Sequence, residues 1–123
     1  MTQEDRQILL KDLSSRLPYG VRYRRFAWDD KRKEECISAK IYSISPDGYV
    51  RNYHEDESDY IDNVRPYLFP LSSITKKRLE ELSEYIDIKN AYVAVDLLNS
   101  HHIDYRGLIE KGLAIDATGL NIY

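Results

Sequence analysis

The sequence predicts an α+β fold: an N-terminal helix, a small antiparallel β-sheet or partly open barrel, and C-terminal helices packed on it. Three observations lead there. Apolar residues near both ends recur at helical spacing. Residues in the middle third alternate with period two. Runs of one element type follow runs of the other, unlike the strict alternation of a βαβ unit. A chain of 123 residues is one domain's worth of material, taken as 1–123, and buries enough surface for one hydrophobic core.

Taken in order, Thr2 caps the first helix, with Asp5 three residues on completing a short-armed capping box. Ile8, Leu9, Leu10, Leu13 and Leu17 form its apolar stripe. Glu4 and Asp5 lead while Lys11 and Arg16 follow, which suits the helix dipole. Pro18 stops the helix and Tyr19-Gly20 turns the chain. Val21, Tyr23 and Arg25 then alternate with Arg22, Arg24 and Phe26. Ile37, Ala39, Ile41 and Ser43 alternate with Ser38, Lys40, Tyr42 and Ile44. Ser45-Pro46-Asp47-Gly48 is the strongest turn signal in the chain, so Ile37 to Tyr53 reads as a β-hairpin.

The run His54 to Asp59 reads as a solvated acidic loop, and Tyr60-Ile61 as a further short strand. Pro66 and Pro70 argue against a regular helix and a central strand in the apolar connector Val64 to Ile74, which therefore reads as a packed turn or a single 3₁₀ turn. Thr75 opens a second helix over about Lys76 to Ile86. Asn90 caps a third over about Ala91 to Ser100, with Val93, Ala94, Leu97 and Leu98 inward. Asp104 caps a short fourth over Tyr105 to Lys111, stopped at Gly112.

Composition bounds the function. An apolar share of 42% with 32% charged residues excludes a disordered chain and a membrane span. Eighteen Lys and Arg against twenty-one Asp and Glu give −3, so no global positive field marks a nucleic-acid protein. One cysteine, Cys36, forms neither an internal disulfide nor a cysteine metal cage, and with no signal peptide expected the compartment is read as cytoplasmic. Eleven Tyr stand against two Phe and one Trp. A ring with a hydroxyl suits half-buried positions on a sheet with one packed and one wet face, and it also suits an interface.

Two surfaces are candidates for binding. Arg22, Arg24, Arg25, Lys31, Arg32 and Lys33 are interleaved with Tyr23, Phe26 and Trp28, a pairing of cations and stackable rings that single-stranded nucleic acid requires. The plainer account is a charged edge that discourages strand pairing, since Asp29, Asp30, Glu34 and Glu35 lie in the same stretch. The second surface is the rigid apolar segment around Tyr67 and Phe69, a docking loop or else a plug for the core.

Other features carry no chemistry. The acidic residues from Glu55 to Asp62 lack the spacing of a calcium loop. His101 and His102 diverge by about a hundred degrees on a helix and read as polar residues at its C-terminus, where an imidazolium suits the dipole. Cys36 has no local base to activate it. No metal, cofactor or catalytic residue is expected. Residues 11–40 are net basic and 41–62 net acidic, a segregation that favours pairing with another copy or another protein.

Three stretches carry a resemblance: Leu10-Lys11-Asp12-Leu13-Ser14-Ser15-Arg16-Leu17-Pro18-Tyr19-Gly20-Val21, Val64-Arg65-Pro66-Tyr67-Leu68-Phe69-Pro70-Leu71-Ser72-Ser73-Ile74-Thr75, and the segment from Leu97-Leu98-Asn99-Ser100-His101-His102-Ile103-Asp104-Tyr105-Arg106-Gly107-Leu108 to Ala114. Together they resemble a family of small uncharacterised proteins from the genomes and mobile elements of gut Bacteroidales. The resemblance implies no activity or cofactor. One departure is Lys76-Lys77-Arg78, where the family's helix begins with acids. The expected function is a non-catalytic module that binds protein or a second copy of itself, with a nucleic-acid-binding accessory protein of a mobile element or phage as the alternative.

Overall fold

The computed structural model describes residues 1–25, 39–53, 58–74 and 91–123, together with Glu80. Trp28, Arg32, Lys33, Cys36, the acidic residues 55–57, the cap at Asn90 and all of the expected helix Lys76–Ile86 except Glu80 lie outside the described residues. Glu80 is helical. Among the described residues no helix is long and apolar enough to cross a membrane.

Helix α1 (Gln3–Arg16) opens with the predicted reciprocal cap. The Asp5 N–H donates to Thr2 Oγ1 at 3.1 Å, and the Thr2 N–H donates to Asp5 Oδ2 at 3.4 Å. A 3₁₀ turn over Leu17–Tyr19 follows, with Pro18 in its first turn. Gly20 ends it at φ +70°, and a Cβ there would lie 2.9 Å from Lys40 Cε.

Strands β1 (Arg22–Arg25), β2 (Ala39–Ile44), β3 (Tyr49–Asn52), β4 (Ser58–Tyr60) and β5 (Val64–Pro70) follow, then α2 (Ala91–Ser100) and the short β6 (Ile103–Asp104) and β7 (Ile115–Asp116). The sheet is open, with order β4-β3-β2-β1-β5-β6, and β7 also pairs with β5. The first five strands pair antiparallel. The last two join β5 in parallel, so the sheet is mixed.

The hairpin turns where the sequence places it. The Gly48 N–H donates to the Ser45 carbonyl, the Tyr49 N–H to Ser45 Oγ, and Gly48 takes φ +94°. Asp59, expected in a solvated loop, sits buried in β4 instead.

Val64–Pro70 is a correction to the sequence reading: it is the strand that joins the two halves of the sheet, not a packed turn. The geometry explains how two prolines fit. The Val21 carbonyl accepts the Ile41 N–H, so Val21 and Tyr23 turn their backbone groups toward β2. Arg22 and Arg24 then face β5, and the residues in register with them are Arg65 and Tyr67. Pro66, opposite Tyr23, turns its nitrogen away from β1, and no ladder hydrogen bond is lost there. Beyond Pro66 the strand changes partners. The Phe69 N–H donates to the His102 carbonyl on the way into β6, and the Leu68 carbonyl accepts the Ala117 N–H next to β7. Successive residues of a strand address opposite edges, so β6 and β7 clasp β5 from both sides.

A second correction concerns Tyr105–Lys111, which forms successive turns and no helix. Gly107 at φ +72° breaks the helical path. Asp104 does cap backbone groups, accepting from the N–H groups of Leu108 and Ile109 at 2.9 Å each.

The core lies between α1 and the inner face of the sheet, with Leu9, Leu13, Val21, Tyr23, Ile41, Val50, Ile61, Val64, Leu68 and Leu108 all buried. The helix face turned to it comprises Leu9, Asp12, Leu13 and Arg16, one stripe at i, i+3, i+4 and i+7 of which half is charged. Arg16 Nε donates to Asp12 Oδ2 at 2.8 Å, and Nη2 donates to the Ile103 carbonyl at 2.6 Å. Arg106 Nη1 donates to Asp12 Oδ1 at 2.8 Å and to Tyr105 Oη at 2.9 Å, and Tyr105 Oη donates to Asn99 Oδ1. Both guanidinium groups lie within cation–π range of the Tyr105 ring centre, at 5.1 Å for Arg16 and 4.7 Å for Arg106.

Removing one member of this network leaves a buried charge without its counter-charge. Asp12→Ala is expected to lower the unfolding free energy by about 3–5 kcal/mol in urea titrations followed by circular dichroism. The apolar pair Asp12→Leu with Arg16→Met should recover most of that loss. A single-variant effect below about 0.5 kcal/mol would show that the pair is not holding the helix.

Candidate binding surface on the outer face of the sheet

The cationic patch read from the sequence divides between the two faces of β1. Tyr23 points inward and is 0% exposed. Its hydroxyl donates to Asp59 Oδ2 at 2.8 Å and accepts from Asn52 Nδ2 at 3.1 Å. Burial raises the Tyr23 pKa far above the ordinary phenol range. Arg25 shares the inward phase and reaches Asp59 Oδ1 at 3.3 Å. Arg22 and Arg24 occupy the outer phase, in register with Lys40 and Arg65. The one described ring of the patch is therefore sealed in the core and presents nothing for a base to stack on.

The docking segment is likewise internal. Tyr67 is 7% exposed and Phe69 is half-buried, with its ring 6.0 Å from that of Tyr123. Tyr123 Oη accepts the Arg22 N–H at 2.9 Å and donates to the Tyr67 carbonyl at 2.7 Å. This hydroxyl stands where the β1–β5 ladder would place its next rung. Burial pushes the phenol up to about 12.

Tyr123 is itself 43% exposed, and four further exposed rings lie elsewhere. Tyr42 and Tyr53 are each 58% exposed, Tyr49 45% and Tyr60 37%, and all four belong to the outer face of β2, β3 and β4. Strand alternation places them there: Ile41, Val50, Asn52 and Asp59 face the core, so their neighbours face out. A bulge between Ile41 and Ser43 adds to the effect, setting Tyr42 on the same side as Arg51 and Tyr53.

The rings form two pairs. Tyr42 meets Tyr53 edge-to-face with centroids 5.1 Å apart, and Tyr49 meets Tyr60 tilted at 5.4 Å. Lys40 Nζ lies 5.3 Å from the centre of the Tyr53 ring. Among the described residues the face also carries Arg51, Ser43 and Ser58, and it has no carboxylate. It is a surface of rings, hydroxyls and cationic side chains on paired strands.

Sequence reasoning named none of these four tyrosines as site residues, although their signal was present. They occupy the polar phase of strands whose apolar phase was recognised, and they account for much of the tyrosine excess.

Asp62, in the acidic stretch, and His102 are both engaged in contacts within the fold. Asp62 takes a two-pronged contact from Arg6, Nε to Oδ1 at 2.7 Å and Nη2 to Oδ2 at 2.9 Å, which tethers α1 to the turn before β5 and holds the Asp62 pKa below the usual carboxylate range. His102 follows α2 at φ +59° and stacks on Tyr123 with centroids 3.6 Å apart. Burial, with the Arg16 charge nearby, pulls His102 down to about 4, so the neutral ring is favoured where an imidazolium had been expected.

Comparison with models of known families, with curated proteins and with solved structures gives no match in any of the three. The face is therefore interpreted from its own chemistry.

Two outcomes follow. An unfolded histidine titrates near 6.5 and His102 near 4, so the unfolded state binds the proton first as pH falls. The contribution of the neutral ring to stability is complete above about pH 6.5 and is lost between there and about pH 4. His102→Asn, which tolerates the left-handed backbone, should show a shallower fall in urea stability across that window than the parent; equal slopes would refute the assignment. Tyr42→Ser and Tyr53→Ser should each change stability by no more than about 1 kcal/mol, since each removes only a solvent-facing cross-strand contact.

Proposed function

We propose that this chain is a non-catalytic interaction module that docks a protein partner on the face formed by Tyr42, Tyr49, Tyr53 and Tyr60. The observation that carries the reading is the exposure of four aromatic side chains on one paired-strand surface. Tyrosine supplies large contact area at small conformational-entropy loss and keeps a hydroxyl for directional bonding, which is why interfaces are enriched in it. The face also includes Arg51, and arginine and tyrosine together dominate interface hot spots.

A nucleic-acid accessory role is the second reading, supported by the presence of Lys40 and Arg51 among the rings. Three observations weigh against it. The chain carries −3, which repels a polyanion at long range. One flank of Tyr53 is already occupied by the Lys40 ammonium. Tyr23, the ring inside the cationic stretch, is buried.

The test is photo-crosslinking in cells of the encoding organism, with a benzophenone side chain at position 51. A single discrete protein adduct is expected, lost when Tyr42 and Tyr53 are both serine and retained when the exposed Gln7 and Lys11 of α1 are replaced by alanine. An adduct unaffected by the serine pair, or one made of nucleic acid, would overturn the reading.

A further inference from the structure

We infer that the gap between β1 and β5 is a binding slot for a phenol, which Tyr123 fills from within the chain on a strap, residues 118–123, that opens to release it. The slot belongs to different strands from the tyrosine face and is independent of the docking role proposed there.

The ligand class is read from what the slot already holds. The paired residues of β1 and β5 are Tyr23 with Pro66, Arg24 with Arg65 and Arg25 with Val64. The next rung would join Arg22 to Tyr67. A hydroxyl stands in its place, with Tyr123 Oη 2.9 Å from the Arg22 nitrogen and 2.7 Å from the Tyr67 carbonyl oxygen. One wall of the slot donates and the other accepts, so the occupant must take one hydrogen bond and give one. A carboxylate has nothing to give and an ammonium nothing to take, whereas water and hydroxyls do both. The stacking surface selects among these. The His102 ring lies nearly parallel to that of Tyr123, with 3.6 Å between centroids and 10° between planes, and Phe69 flanks it at 6.0 Å. A flat aromatic ring that carries a hydroxyl uses both the rung and the stack.

The strap is held by that one side chain. Residues 118–121 are exposed and belong to no helix or strand. The Thr118 N–H donates to Asp116 Oδ1 and the Leu120 N–H to the Ala117 carbonyl, both bonds local to the strap and its root. Past Leu120, the hydrogen bonds made among the described residues are those of Tyr123 Oη. A Cβ at Gly119 would touch nothing within 4 Å, and Leu120 is 49% exposed. Asn121, at φ +54°, takes the left-handed backbone just before the ring returns to the sheet. A segment with so few buried contacts opens at a small fraction of the cost of global unfolding. Opening gives up the two bonds of Oη and the stack, and it leaves the β1–β5 ladder intact. A ligand tethered in the same chain competes strongly, so a phenol supplied from outside binds the parent only weakly.

The test is nuclear magnetic resonance on the full chain. In the parent, the Arg22 amide hydrogen is expected to exchange roughly tenfold or more faster than that of Ile41, whose N–H donates to the adjacent Val21 carbonyl. In Tyr123→Ala, phenol should bind saturably with a Kd of about 1–10 mM, moving the His102 ring resonances and slowing Arg22 exchange. Anisole, which accepts a hydrogen bond but cannot donate one, should bind roughly tenfold more weakly. The parent should also bind phenol roughly tenfold more weakly than Tyr123→Ala does. A heptapeptide with the sequence of residues 117–123 separates two sources of the phenol. Tighter binding than free phenol to Tyr123→Ala supports a tyrosine of another chain as the occupant, and weaker binding supports a small phenolic compound.

Equal exchange of the Arg22 and Ile41 amides would overturn the inference, because the slot would then open only with the whole sheet. Absence of phenol binding to folded Tyr123→Ala up to about 50 mM, or equal affinity for anisole, would overturn it as well. Should the alanine variant fail to fold, the parent decides: phenol at about 20 mM must move the His102 and Tyr123 ring resonances together, and unchanged resonances overturn the inference equally.

Discussion

The Asp12–Arg16 pair, enclosed at 0% exposure, is the interaction on which the rest of this structure is built. A carboxylate and a guanidinium four residues apart sit on the helix stripe that faces the core, where apolar side chains would ordinarily be. Desolvating two ions is strongly unfavourable, and their mutual attraction offsets it only when the remaining hydrogen-bonding capacity is used. Here the Ile103 carbonyl, Arg106, Tyr105 and, through Tyr105, Asn99 take up much of it. All four come from the C-terminal third. The pair therefore specifies where that third must lie against α1, a degree of directionality that a leucine stripe would not provide.

Strand β5 performs the corresponding task in the sheet. Its first half crosses over to pair antiparallel with β1, and its second half accepts two short parallel strands from far along the chain. The prolines mark the limits of what its edges are asked to donate. Tyr123 Oη occupies the gap left where β1 ends, bonding to both strands as a trapped water would. With its inner face packed against α1, the sheet leaves the other face of β2, β3 and β4 to solvent, which is how the tyrosine surface arises.

Local physics made the N-terminal cap, the Asp47-Gly48 turn, the alternation of β1 to β3 and the span of α2 legible in the sequence, because each depends on neighbours within a few residues. Other features were illegible for a common reason. Whether Pro66 breaks a strand depends on which edge its nitrogen faces, and that is set by a partner more than forty residues away. Arg16 reads as a dipole residue until Ile103 supplies a carbonyl to it. Asp59 reads as part of an acidic loop until Tyr23 and Arg25 converge on it. The tyrosine face was half legible: its composition and phase were visible, but exposure is a property of what the rest of the chain leaves uncovered. Tyr23 shows the difference, a tyrosine in the same pattern with the opposite fate.

The dependence of both α1 and β5 on residues 103–116 bears on biosynthesis. During synthesis Arg16 leaves the ribosome 87 residues ahead of Ile103, whose carbonyl completes the burial of the pair. Non-local closures of this kind are slow, and they leave the segment that carries Asp12 and Arg16 without its partners until residue 103 has emerged. A chain cut before residue 103 would lack both the carbonyl and the two strands that complete this core.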